Sequence, residues 1–181
     1  MISLIPLSDI DSVHIEKLLD KAFGEDRLSR TSYRVREDME QLERLCFGAI
    51  DDEAETLVGT IQCWPTMLSE EDANGEKTGR RHPMIMVGPV AVTPDRQGAG
   101  IGKMLIAAML AEVEDNEQLP LIMIGDPEYY GRFFDFKAEL TGGWKLPGPC
   151  EPSRLLMRLP SQRQVPQYGT VGPYKPASSI N

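Results

Sequence analysis

Between residues 83 and 124 the chain reads as an apolar run, a glycine-rich turn, an amphipathic segment and a second apolar run, and this succession restricts the fold more than any other part. The first run, residues 83–92, carries Met84, Ile85, Met86, Val87, Val90, Ala91 and Val92 and is interrupted only by Gly88-Pro89. Apolar character without alternation fits a strand covered on both faces. Proline has no N–H to give a sheet ladder, so a distortion is expected at Gly88-Pro89. After the glycines, Ile101, Met104, Leu105, Ala108, Met109 and Val113 recur at three-and-four spacing, which predicts a helix with one apolar face, ending in the acidic stretch 112–117. Residues 119–124 then read as a second buried strand. Strand, helix and strand with a short return make a βαβ unit, which implies parallel pairing and a right-handed connection.

The flanking sequence adds antiparallel material. Residues 2–7 read as a strand, and a helix starting at Ser8 or Asp9 follows, with Val13, Ile15, Leu18, Leu19 and Phe23 on one face and Gly24 as its stop. Residues 33–45 suggest a second, more polar helix. Residues 45–50 and 55–67 suggest a hairpin about Asp51-Asp52-Glu53. The acidic, glycine-containing stretch 69–79 reads as a solvent loop. Beyond the βαβ unit, residues 127–134 suggest a short helix, and 138–146 and 153–159 two last strands. The fold class is therefore α/β with a mixed, twisted central sheet flanked by helices. With 181 residues there is room for one domain, residues 1–159, and a Pro- and Gly-rich tail, residues 160–181, whose Val165, Tyr168, Val171 and Tyr174 supply packing material.

Composition narrows the partners. A net charge of −9 argues against nucleic acid, whose phosphates are held by clustered Lys and Arg. It leaves room for a local anion site, and the surrounding field favours a cationic substrate such as an amine. No apolar stretch approaches the length of a membrane span, and residues 1–7 lack the features of a secretory signal, so a cytoplasmic location is expected. Cys46, Cys63 and Cys150 are widely spaced, without a Cys-x-x-Cys, and read as buried small hydrophobes; neither a disulfide framework nor a metal site is expected.

The chemistry is concentrated in Gln97, Gly98, Ala99, Gly100, Ile101, Gly102 and Lys103. A helix that begins in glycines presents unpaired N–H groups and the positive end of its dipole, and the missing side chains let phosphate oxygens approach the backbone. Arg96 and Lys103 are placed to add charge. A P-loop requires four residues between its glycines and a Gly-Lys-Ser/Thr ending, whereas here three residues separate Gly98 from Gly102 and Met104 follows Lys103. A dinucleotide fingerprint beginning at Gly98 requires glycine where Lys103 stands.

The hexapeptide 97–102 matches the Q/R-x-x-G-x-G/A pattern of the GNAT superfamily of N-acetyltransferases, and the order of elements over about residues 2–159 resembles that fold. The stretch from Gly88 to Lys103, with Gly125-Asp126-Pro127-Glu128-Tyr129-Tyr130-Gly131-Arg132-Phe133 downstream, resembles a bacterial subgroup of predicted acetyltransferases. The resemblance implies acetyl-CoA as cosubstrate, with its pantetheine arm along Val90, Ala91 and Val92 and its pyrophosphate on residues 97–103; Asp126 joins the cofactor-binding set. It implies that the distortion at Gly88-Pro89 frees an N–H to polarise the thioester carbonyl, and that Tyr130 is the general acid, with Tyr129 as its packing partner. Phe134-Asp135-Phe136 stands where the family has a Gly-Phe pair, and Asp tolerates the left-handed cap that glycine would adopt.

No carboxylate lies in the strand before the turn. Glu25, Asp26 and, more remotely, His82 are the candidates for a general base, while His14 is expected on a helix surface. The expected activity is direct transfer of an acetyl group to a primary amine of a small molecule or protein. The alternative is a non-catalytic acyl-CoA-binding regulatory module. Many members of the superfamily pair, and the apolar residues of the tail would serve a homodimer.

Overall fold

The computed structural model describes residues 1–116 and 119–175. The chain begins with β1 (Ile2–Pro6), α1 (Ser12–Phe23) and a short α2 (Thr31–Val35). Then come β2 (Phe47–Asp51), β3 (Thr56–Glu71), β4 (Lys77–Val92), α3 (Ile101–Asn116), β5 (Leu121–Ile124) and α4 (Pro127–Phe134). β6 (Trp144–Lys145), β7 (Leu155–Arg158) and β8 (Gly169–Pro173) complete an open eight-stranded mixed sheet. Its strand order is β1-β2-β3-β4-β5-β7, with β8 on β3 and β6 on β8. As the βαβ reading requires, β4 and β5 are parallel, with Ile85 opposite Leu121 and Met86 opposite Ile122.

The fold comprises two compact units. One holds residues 1–29, 41–63 and 87 onward through α3; the other holds 30–40, 64–86 and 119 onward, so that β3 and β4 each run through both. In the first unit, β1 and β2 and the start of β3 pair antiparallel, and Ile15, Leu18, Leu19, Leu45, Ala49 and Ile61 are buried together with α3. Along α3 the buried positions are Ile101, Leu105, Ile106, Met109, Leu110 and Val113. They spread over about half the circumference, and Met104, expected in the apolar face, falls outside that arc and is exposed. Glu117, expected at the acidic end of this helix, lies outside the described residues. The second unit is built on Val35, Leu68, Met84, Met86, Ile122, Trp144, Leu155, Met157 and Val171.

Local chemistry explains the element boundaries. α1 starts later than expected: Leu7–Asp9 is a 3-10 turn, and Asp11 caps the helix by accepting from the Val13 N–H at 2.9 Å. Gly24, at φ 90°, ends it. The helix expected over residues 33–45 reduces to α2 and a 3-10 turn at Glu43–Leu45, because Asp38 takes a left-handed φ of 59° and, within residues 33–44, Val35 alone is a buried apolar residue. The stretch expected as a solvent loop at 69–79 is instead the tip of the β3–β4 hairpin. Its carboxylates are paired: Glu70 accepts from Arg80 and contacts His82, while Glu71 accepts from Lys145 and Thr170. The turn is closed by Asp72 N–H to Glu76 O at 2.9 Å.

A strand over 138–146 is likewise mostly turn, with β6 at its end. Thr141 diverts its hydroxyl to the carbonyls of Ala138 and Leu155. Part of the tail is sheet: β8 pairs antiparallel with β3 from Thr66–Pro173 to Glu70–Gly169, burying Val171. Residues 176–181 of the tail lie outside the described residues.

Candidate active site

Met84, Ile85, Met86 and Val87 are all buried, so β4 is covered on both faces as its composition predicts. The distortion expected next occurs as a cis Gly88-Pro89 peptide with Gly88 at φ 127°. Val90 and Val92 are half-buried and Ala91 is buried. The Thr93 N–H donates to Val58 O at 2.9 Å and fixes the end of the strand. Pro94–Arg96 then makes one 3-10 turn.

Two ion pairs hold that turn. Lys21 of α1 reaches Asp95 at 3.3 Å, and Arg96 bonds to the buried carboxylate of Asp51 at the end of β2. Burial acts to raise the Asp51 carboxyl, but the N–H groups of Glu53 and Ala54 and the Arg96 guanidinium outweigh it and hold the group below its usual range. Arg96, expected to add charge for a phosphate, bonds to Asp51 and anchors the turn.

Gly98 and Gly100 have φ of 83° and 81°, in the left-handed region that other residues rarely adopt. A Cβ placed on either would meet nothing within 4 Å, so the space above the turn is open. α3 starts at Ile101, and Met104 N–H donates to Gly100 O at 3.1 Å. The N–H groups of Ile101 and Gly102 therefore have no acceptor within the helix. Ile101 is the buried anchor of this end, while Gln97, Ala99 and Lys103 are exposed. The structure thus gathers residues 90–92 and 97–103 into one continuous strand, turn and helix start. Open backbone at the positive end of a 16-residue helix fits a pyrophosphate.

Tyr130 lies in the other unit, on α4. Its ring packs on Gly125, where a Cβ would come within 2.6 Å of the ring carbon Cε2, so the residue there must be glycine. Tyr129 stands edge-on to Tyr130 at 5.0 Å between centroids and also contacts Phe133 and Phe134. Phe136, fully buried, closes the other side at 6.5 Å. Burial, reinforced by Tyr129 and Asp126 and opposed by Arg154, pushes the Tyr130 phenol up to about 12.

Arg154 is held there reciprocally: its N–H group donates at Nε to Gly125 O at 3.4 Å, and its carbonyl accepts from Gly125 N–H at 2.9 Å. Asp126, expected among the cofactor-binding residues, has a structural task, since its carboxylate caps α4 by accepting from Glu128 N–H at 3.0 Å. Asp135 adopts the left-handed cap expected of it, at φ 58° and ψ 32°.

The base candidates fare differently. Glu25 and Asp26 are exposed in the 3-10 turn Glu25–Ser29, and His14 is exposed on α1. His82 contacts Glu70 at 2.7 Å and sits six residues before Gly88 on β4. Cys46 and Cys63 are buried, as their type suggests, and Cys150 is half-buried. Among the described residues no group of three His, Cys, Asp or Glu side chains is arranged to hold a metal, and no helix is long and apolar enough to cross a membrane. The residues missed from sequence are Asp51, Arg154 and Gly125 as a packing site. Only Gly125, a glycine at the end of an apolar strand, carried a sequence signal.

A strand that opens into a turn with two left-handed glycines and a helix N-terminus, within an open mixed sheet flanked by helices, defines the acyl-CoA N-acyltransferase class of fold. Residues 13–126 match the family model described as "Acetyltransferase (GNAT) family", and the chain belongs to that family. It is 26% identical over 140 residues to "Uncharacterized N-acetyltransferase YhbS" of Escherichia coli (strain K12), covering 77% of each chain. The crystal structure of YhbS from Escherichia coli in complex with CoA is similar at a TM-score of 0.65 and 23% identity, over 96% of this chain and 89% of that one. A GNAT family acetyltransferase from Brucella melitensis in complex with acetyl-CoA is similar at a TM-score of 0.62 and 21% identity, over 96% of both chains.

Proposed function

We propose that the chain transfers an acetyl group from acetyl-CoA to a primary amine by direct attack, without a covalent enzyme intermediate. The observation that carries this reading is the open pair of left-handed glycines at the start of α3. The backbone of residues 97–103 would hold the pyrophosphate and that of Val90, Ala91 and Val92 the pantetheine arm. CoA complexes of the two structural relatives support the same assignment. Acetyl-CoA supplies the acyl group as a thioester. The backbone beyond Gly88-Pro89 polarises the thioester carbonyl, and catalysis comes mainly from positioning.

Tyr130 donates a hydrogen bond to the sulfur as charge develops on it. With the phenol near 12 and a free thiol at about 8.5, complete transfer of its proton to a thiolate costs about 5 kcal/mol, whereas the hydrogen bond from the neutral phenol carries no such cost. The ammonium acceptor loses its proton to water or to Glu25 or Asp26. The acidic balance of the chain favours a cationic acceptor, small molecule or protein, and a cytoplasmic setting fits the reading.

A second reading, a regulatory module that binds acyl-CoA without turnover, draws support from the buried methionines and isoleucine of β4, which supply no base. Thiol release from acetyl-CoA, measured against a panel of primary amines, separates the two. Amine-dependent release supports transfer, and saturable binding without release supports the module.

A further inference from the structure

We propose that the cleft between α1 and the β2–β3 turn, within the first unit, is a binding site for a small monocarboxylate with an apolar body. Its volume, about 460 Å³, is in the range of small-molecule sites and far above the voids of a packed interior. Leu18, Ile50, Leu57 and Val58 give it an apolar lining, and Leu18 and Val58 are themselves buried.

The charge around it is sorted. α1 lines the cleft with His14, Lys17 and Lys21, three basic side chains at positions i, i+3 and i+7. The acids of the same helix, Glu16 and Asp20, are turned to the buried Arg27. Lys21 is bonded to Asp95, but Lys17 has no carboxylate bonded to it among the described residues, and His14 lies one turn before it. Asp95 and Glu55 complete the titratable lining. With Lys21 taken up by Asp95, Lys17 is the cation left to meet a ligand, and a single cation suits a carboxylate better than a phosphate dianion. Thr93 also lines the cleft. Its hydroxyl is shut away from water and makes no well-formed hydrogen bond, although it lies close enough to Asp95 to help hold that carboxyl low.

Octanoate is a suitable probe, titrated calorimetrically into the full chain, with octylammonium as the charge-reversed control. One saturable site for octanoate is expected, weakened at least about tenfold in Lys17→Gln, restored in Lys17→Arg, and absent for octylammonium. Lys17 is exposed, so the variants are expected to keep the melting temperature and the acetyl-CoA affinity of the parent. The site is refuted by octanoate that fails to saturate, by equal affinity in Lys17→Gln, by octylammonium binding as tightly, or by one-for-one displacement of octanoate by acetyl-CoA. None of these outcomes bears on acetyl transfer, so the two proposals stand or fall separately.

Discussion

Burial raises the Tyr130 phenol to about 12, a shift whose consequences can be measured. Tyr130→Phe keeps the ring on Gly125 and removes the hydroxyl, so kcat is expected to fall about 100-fold while acetyl-CoA affinity is unchanged. Steady-state kinetics beside a binding titration check this, and a matched loss of affinity would instead make Tyr130 a packing residue. The same phenol couples to stability. Its folded-state pKa, about 12, lies above the ordinary 10, so its contribution is fully present below pH 10 and is lost as pH rises through 12. In urea unfolding across that window, the parent should lose up to ~3 kcal/mol more than Tyr130→Phe.

At the scale of elements, α4 shows what the sequence made legible. Its bounds and the left-handed Asp135 follow from local rules: proline in the first turn and a residue type that tolerates positive φ. Asp135→Gly should therefore stabilise the fold by about 1 kcal/mol, since the ion pair it removes, to Lys137, is solvent-exposed and contributes little. A rise of a few degrees in melting temperature checks it.

The β3–β4 hairpin shows the opposite. Nothing in the acidic run 69–79 announces a strand, because Glu70 and Glu71 become strand residues only through Arg80, His82, Lys145 and Thr170, some of them about 75 to 100 residues away. β8 was hidden for the same reason, its glycines and proline acquiring strand geometry from the edge of β3. The cradle was legible because its chemistry is local, a run of glycines at a helix start. The ion pair of Arg96 was not legible because its partner, Asp51, is distant in sequence.

Over the whole molecule, acidic groups tie the architecture together. Asp51, Glu70 and Glu71 all sit below their ordinary ranges. For Glu70 the hydrogen bond from His82 leads and that from Arg80 follows; for Glu71 it is Lys145 and then Thr170. Carboxyls depressed by folding stabilise above their unfolded values and lose that contribution as pH falls through the folded ones. Thermal stability should therefore hold steady from neutrality to about pH 5 and decline below the ordinary glutamate value of 4.5, with a shallower decline in Glu70→Gln.

The central claim, that an acyl-CoA pyrophosphate rests on the opening turn of α3, is tested most directly by calorimetric titration of acetyl-CoA into the parent and into Gly100→Glu. That substitution puts a carboxylate into the open space and a side chain on a left-handed backbone. The account predicts one saturable site in the parent and none in a folded Gly100→Glu. Equal binding by both, or binding by neither, would contradict it.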